Sequence, residues 1–130
     1  MNTAGFTLFE LLIVLVIIGI LTTFSTPIYR HLVKKTRRSE AKIALINLAQ
    51  HMEIYYLENN NSYEKASFSK LHLKNMTEKK FYQLTLKSTS NTYQLSAKAQ
   101  FTDPECYLFM LNQLGEKTNK GSGSSQCWSA

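Results

Sequence analysis

The sequence predicts an α+β chain. One long N-terminal helix, apolar in its first half and amphipathic in its second, packs on a small antiparallel sheet of about three or four strands. Three observations carry this prediction. The run Leu11 to Leu21 (LLIVLVIIGIL) contains no polar side chain. From Ile28 to Glu58 there is neither Pro nor Gly, and Ala41, Leu45, Leu48, Met52 and Tyr55 recur at steps of four and three, which is helical spacing. Downstream, three short segments separated by turn formers carry the composition and alternation of strands.

Composition sets the frame for these elements. At 130 residues, 44% hydrophobic and with a net charge of +6, the chain holds one domain of ordinary size. Its charge is unevenly placed: before Arg30 the only charged side chain is Glu10, and all 15 Lys and Arg follow. Two Pro and five Gly exclude a collagen-like or Pro/Gly-rich linker chain. No internal repeat is present. The pI near 9.4 is an ordinary solubility device and does not by itself call for an anionic partner.

The first element, Phe6 to Tyr29, is apolar enough to enter a membrane. Met1 to Gly5 has no basic residue and nothing after Leu21 resembles a small-x-small cleavage site, so a secretory signal fits poorly. The 24 residues from Phe6 to Tyr29 would span about 36 Å as a helix, so an anchor fits better. Arg30, Lys34, Lys35, Arg37, Arg38 and Lys42 crowd its C-terminal side, which the positive-inside tendency would keep cytoplasmic. Two cysteines, Cys106 and Cys127, point the other way. They suit either a disulfide in an exported head, stabilising by roughly 3 kcal/mol through closure of a loop of about 22 residues, or two buried thiols.

Glu10 has two readings. A carboxylate in an apolar segment costs about 2.5–3.5 kcal/mol on insertion scales, so it calls for a partner. Thr7-Leu8-Phe9-Glu10 matches a capping box, which would satisfy two free amide donors at a helix start. Alternatively, a cut between Gly5 and Phe6 would place a new ammonium group four residues from Glu10, within or between molecules.

GFTLFELLIVLVIIGIL resembles the class III leader and hydrophobic helix of the type IV pilins and of their relatives, the pseudopilins of type II secretion. The resemblance implies cleavage after Gly5 by a membrane prepilin peptidase and methylation of the new N-terminal Phe6. It makes Thr7 and Leu8 motif positions, and it implies that Glu10 neutralises the Phe6 amine of a neighbouring subunit during assembly. Pro27 stands where pilins keep a helix-bending proline, and Gly19 is a second weak point. The leader, residues 1–5, lacks the basic side chain found in many relatives. On this organisation residues 6–29 form the membrane and filament-core helix, 30–58 the amphipathic helix and 59–130 a globular β head. Gly19, Thr22, Thr23, Ser25, Thr26 and Pro27 are poor helix formers, held helical in lipid because the backbone must pair internally. Extraction into a filament core is expected to melt them locally.

The amphipathic helix ends at Asn59-Asn60-Asn61-Ser62, a run of turn formers. Residues 59–80 show no periodicity. Strands are expected at Phe81 to Lys87, Thr92 to Gln100 and Tyr107 to Leu111, with a turn at Asn112 to Glu116 and a flexible loop, Lys120 to Gln126, tied back only by Cys127. Tyr55-Tyr56, the Asn run and Tyr63, then CYLFMLNQLGEKT and the closing Cys127-Trp128, look like the PilE-like minor pilins. In those relatives the first Cys pairs with the Cys of the closing CW, which implies a Cys106–Cys127 disulfide.

Catalytic chemistry finds no constellation. His31, His51 and His72 are scattered, Asp103 is the single Asp, and no metal-ligand spacing or phosphate-binding Gly motif occurs, so the sequence predicts neither enzyme, cofactor nor metal. His51 and Glu53, two residues apart on a helix, are expected to be solvated. The function implied is structural: a minor subunit incorporated into, or initiating, the type IV pilus, with its head in the periplasm, its anchor in the bacterial inner membrane and its final place on the cell surface. Its implied partners are major and minor pilins, prepilin peptidase and the inner-membrane assembly platform, serving twitching motility, adhesion or DNA uptake. The alternatives are a pseudopilin and a competence pilin whose head captures DNA. For DNA the material would be Lys65, Lys70, Lys74, Lys79, Lys80, Lys87, Lys98, Lys117 and Lys120, of which Lys79, Lys80, Lys117 and Lys120 are the expected contacts, with Tyr side chains and Trp128 stacking on single strands, while the Arg30 to Lys42 cluster is expected to face anionic lipid.

Overall fold

A computed structural model describes residues 5–123 and 126–129. Of the expected leader, residues 1–4 lie outside the described residues. The element order is one helix, α1 (Leu8–Glu58), followed by four strands, β1 (Tyr82–Ser88), β2 (Tyr93–Ala99), β3 (Leu108–Asn112) and β4 (Lys117–Lys120). Contacts divide the chain into two compact units, one up to Lys34 and one from Lys35.

The second unit, the head, is an antiparallel meander in the order β1-β2-β3-β4. Its alternation follows from the period of two in a strand. Tyr82, Leu84, Leu95, Ala97, Phe109 and Leu111 turn to one face and are buried. The core half of α1 supplies Ala41, Leu45, Leu48 and Met52 to the same cluster, so the stripe at steps of four and three is the face laid on the sheet. The three expected strands lie within one residue of their observed bounds. β4 is the element that periodicity did not identify: its sequence, KTNK, has no apolar residue, and it is a strand because Met110 pairs with Thr118 and Leu111 with Lys117.

Two polar networks fasten the head. Arg38 on α1 donates to both oxygens of Asp103, at 2.7 Å each, and to Glu105 at 2.7 Å. The Asp103 side chain is fully buried, and it also accepts the Cys106 amide at 3.3 Å. The Arg38 guanidinium is held more firmly protonated, first by the Asp103 bond. In the second network the Tyr63 and Tyr93 hydroxyls donate to the exposed Glu53 carboxylate at 3.1 Å. Glu53 is therefore not merely solvated, as its spacing from His51 suggested; the tyrosines that reach it come from the segment after α1 and from β2.

Cys106 and Cys127 form the disulfide that the cysteines suggested. The C-terminal loop is held by more than that bond. Ser122 and Gly123 donate backbone N–H groups to the Pro104 and Glu105 carbonyls, both at 3.0 Å. Gly121, at a φ of 145°, passes so close to the Glu105 carbonyl that a Cβ there would overlap it. The expected flexible loop at Lys120 to Gln126 is thus corrected for its first half: Lys120 ends β4 and residues 121–123 lie against residues 104–105, while residues 124–125 lie outside the described residues.

Two outcomes follow. Asp103→Asn, which strips the charge from a buried ion pair, should cost about 3 kcal/mol in chemical denaturation, most of it from leaving Arg38 half-buried beside an uncharged partner. Burial, aided by Glu53, raises the Tyr63 hydroxyl to about 12, and burial raises Tyr82 and Tyr93 further. Because the unfolded tyrosine ionises near 10 and the folded one later, their contribution is complete below pH 10 and is lost as pH rises through about 12. Denaturation midpoints should fall steeply over that window, and Tyr63→Phe should flatten the fall.

Candidate functional site

The features that stand out among the described residues are surfaces, beginning with α1. Thr7 and Glu10 form the capping box. The Thr7 hydroxyl accepts the Glu10 amide at 3.2 Å, and the Glu10 carboxylate reaches back to the Thr7 amide at 3.5 Å. Thr7 is the N-cap and Leu8 the first helical residue, which leaves Phe6 at the position just outside the helix and Gly5 before it. The second of these hydrogen bonds is at the long limit for the interaction, and it is exposed to solvent.

Beyond the cap, every large side chain from Leu8 to Leu32 is exposed, including Leu11, Val14, Ile17, Leu21 and Phe24. This helix is long and apolar enough to cross a membrane. Its polar residues are neutralised locally. Thr22 donates to the Ile18 and Gly19 carbonyls at 2.9 and 3.0 Å, Thr23 to Gly19 and Ile20 at 3.0 and 2.7 Å, and Ser25 to Leu21 at 2.9 Å. No hydroxyl of these three needs a partner outside the helix, which is the condition for entering lipid. In the free chain α1 runs unbroken through Gly19 and Pro27. A Cβ added at Gly19 would meet nothing within 4 Å, so its small size serves no packing inside this chain.

The head half of α1 carries an apolar feature that the core periodicity concealed. Ile43, Ile46, Ile54 and Leu57 are exposed, at 68%, 44%, 53% and 75%. At 100° per residue they fall within about 80° of one another, on the side opposite Ala41, Leu45, Leu48 and Met52. The signal was available in the spacing of these four residues, three, eight and three apart, but it overlaps the stronger core stripe.

The basic residues do not form the groups expected. Of the cluster from Arg30 to Lys42, three are engaged by residues of the head. Arg37 stacks on Phe81 and Phe101, with its guanidinium carbon 4.5 and 4.9 Å from the ring centres. Arg38 holds Asp103, and Lys42 donates to the Trp128 carbonyl at 3.3 Å. Burial, then the nearby Arg38 charge, lowers the Lys42 ammonium from its ordinary value. For these three the expected role at lipid headgroups is corrected accordingly: residues next to the strands and at the C-terminus engage them.

The residues named for DNA are likewise divided. Lys79 and Lys80 lie in the turn before β1, at one edge of the sheet, and Lys117 and Lys120 on β4, at the other. Register separates the second pair again. Lys117 opposes the buried Leu111 and so faces the helix side, whereas Lys120 opposes Leu108 on the outer face. Trp128 is not a free stacking platform. Its ring meets Phe109 edge-on with centres 5.5 Å apart, its Nε1 donates to the Thr118 carbonyl at 2.8 Å, and the Lys117 ammonium sits 5.6 Å over its face. What register does assemble is an outer sheet face of Lys87, Lys98 and Lys120 among Gln83, Thr85, Gln94, Ser96 and Thr118, with Leu108, Met110 and Asn112 of β3 in its middle and no acidic residue in its paired rows.

Comparison with known proteins accords with these surfaces. The family model described as type IV minor pilin ComP, DNA uptake sequence receptor, matches residues 27–110. The prokaryotic N-terminal methylation motif matches residues 1–26. Among solved structures, the non-core minor pilin PilV of Neisseria meningitidis is similar at 26% identity and a TM-score of 0.54, over 68% of this chain and 88% of that one. No curated protein sequence matches the chain. An exposed apolar helix behind a methylation motif, a four-stranded head closed by a disulfide and a model match over most of the chain place it together: the protein belongs to the type IV minor pilin family.

Proposed function

We propose that the protein is a low-abundance structural subunit of the type IV pilus, cut between Gly5 and Phe6 by prepilin peptidase, methylated at Phe6 and drawn from the inner membrane into the filament or its initiating complex. The observation that carries this reading is the exposure of every large apolar side chain from Leu8 to Leu32. Such a surface is stable in lipid or among other helices and nowhere in water. A disulfide persists in an oxidising space, which supports a periplasmic head against the pull of the basic residues near the anchor. That pull is weaker than the sequence suggests, because Arg37, Arg38 and Lys42 are engaged within the head.

In assembly the Glu10 carboxylate exchanges its long contact with the Thr7 amide for the Phe6 ammonium of a neighbouring subunit. Ile43, Ile46, Ile54 and Leu57 supply further apolar surface to neighbouring pilins. The role is one of structure and carries no catalytic step.

A second reading is favoured by the family model, whose description names a DNA uptake sequence receptor. In it the outer sheet face binds duplex phosphates through Lys87, Lys98 and Lys120. This face takes the place of Lys79, Lys80 and Lys117, which the strand order and register keep apart.

For the structural role, mass spectrometry of sheared filaments should find a chain beginning at methylated Phe6. Glu10→Ala should remain in membranes while its share of the filament fraction falls several-fold; an unchanged share would refute the charge pairing. For the second reading, Lys87→Ala/Lys98→Ala/Lys120→Ala should lower the salt dependence of duplex binding by a slope of about 3, near 0.9 for each phosphate no longer neutralised. An unaltered slope would remove DNA from this face.

A further inference from the structure

The head contains one hollow that neither the anchor nor the lysine face uses. It is an open groove of about 700 Å³ between α1 residues 36–48 and the segment 72–80. Its size falls within the usual range of small-molecule sites. Ile43, Leu73, Met76 and Leu84 are among its apolar lining, and Lys74, Lys79 and Lys80 line it as well. Two acids also line it: Glu40 accepts the Lys79 amide at 3.0 Å, bridging the two walls, and Glu78 lies between the lysines in sequence.

The backbone of this wall limits what can occupy the groove. The amides of His72, Leu73, Thr77, Lys79 and Lys80 are all committed, to Ser69, Phe68, Tyr82, Glu40 and Thr77 respectively. An extended peptide laid here would find none of these donors free for the main-chain bonds that strand addition requires. Two wall residues, His72 and Lys80, hold left-handed φ values of 55° and 61° without being glycine. Strain of that kind is found where surrounding structure fixes a binding surface. Apolar and cationic side chains lining one groove, with five amides of its wall already committed, suit a flexible apolar chain with an anionic head.

We propose that the groove binds an anionic phospholipid of the membrane in which the chain is anchored. One acyl chain lies over Ile43, Leu73 and Met76, and the phosphate meets Lys74, Lys79 and Lys80. This rests on the reading of residues 6–29 as that anchor. Thr36, which lines the groove, is seven positions past Tyr29, at most about 25 Å of chain from the end of that segment. Anionic headgroups attract lysines that come within a Debye length, about 8–10 Å, of the bilayer surface.

The test reconstitutes the full chain in phosphatidylcholine vesicles containing phosphatidylglycerol with a diazirine on its acyl chain. Irradiation followed by peptide mass spectrometry should find lipid adducts on peptides containing Ile43 or Leu73 to Met76, as well as within residues 8–29. In Lys74→Glu/Lys79→Glu/Lys80→Glu, and separately in the exposed Ile43→Glu, the groove adducts should fall at least fivefold while those on 8–29 persist. Labelling confined to 8–29, equal groove labelling by a neutral diazirine phosphatidylcholine, or a groove cross-link to another pilin chain instead of lipid would overturn the proposal. Groove adducts without labelling of 8–29 would sustain the lipid site and overturn the anchor reading, which keeps the two separable.

Discussion

A single helix here carries more apolar surface than its own chain can cover. In the head half, one stripe is buried on the sheet and the opposite stripe, Ile43 to Leu57, faces solvent. In the N-terminal half, seventeen large apolar side chains from Phe6 to Leu32 are exposed. Each is worth about 1.5–3 kcal/mol when buried, so the uncovered surface represents tens of kcal/mol that only lipid or other subunits can supply. Other features follow from this imbalance. Charges other than Glu10 begin only at Arg30, and the hydroxyls of Thr22, Thr23 and Ser25 bond within their own helix. These three hydroxyls, bonded within their own helix, do not oppose burial in lipid or among other helices.

The head needs a different kind of stability, because its core is small and one wall of it is the helix. Arg38 provides the tie. It reaches from α1 to Asp103 and Glu105, and the same short loop receives the Cys106 end of the disulfide and the backbone bonds from residues 122–123. Helix, β3 approach and C-terminus thus converge on four residues, 103–106. A buried ion pair adds little net stability on its own, but breaking it leaves a charge without its partner, so the arrangement fixes one docking of helix on sheet.

Much of this was legible in the sequence, and the limits have physical reasons. The core stripe Ala41, Leu45, Leu48 and Met52 and the first three strands were readable because burial imposes a period on them. β4 was not, since an edge strand of polar residues is specified by its neighbour and not by its own composition. The disulfide was anticipated from two cysteines in a head expected to be exported. Arg38 and Asp103, 65 positions apart, leave no local trace; the only signal was that the sequence holds a single Asp, three residues before Cys106. The lysines misled because sequence counts charges and does not assign faces. Register alone sends Lys117 inward and Lys120 outward. At the anchor, the free chain displays the capping box that Thr7 and Glu10 spell out, whereas the proposed charge pairing of Glu10 belongs to an assembled state.

Those two readings of Glu10 are compatible for a geometric reason. The proposed cut after Gly5 removes nothing from the capping box, which starts at Thr7. It creates an ammonium at Phe6, one residue before the N-cap, where the partial positive charge of the helix N-terminus disfavours a cation. The nearest anion on the same chain is Glu10, yet that carboxylate is turned toward the Thr7 amide, through a contact of 3.5 Å that water already weakens. A neighbouring subunit's Glu10 therefore competes with a weak local arrangement, and within lipid both ions gain by pairing, since neither is otherwise neutralised there. The strength of the pairing grows as water is excluded, so a contact of little value between free subunits becomes selective once the apolar helices have already come together.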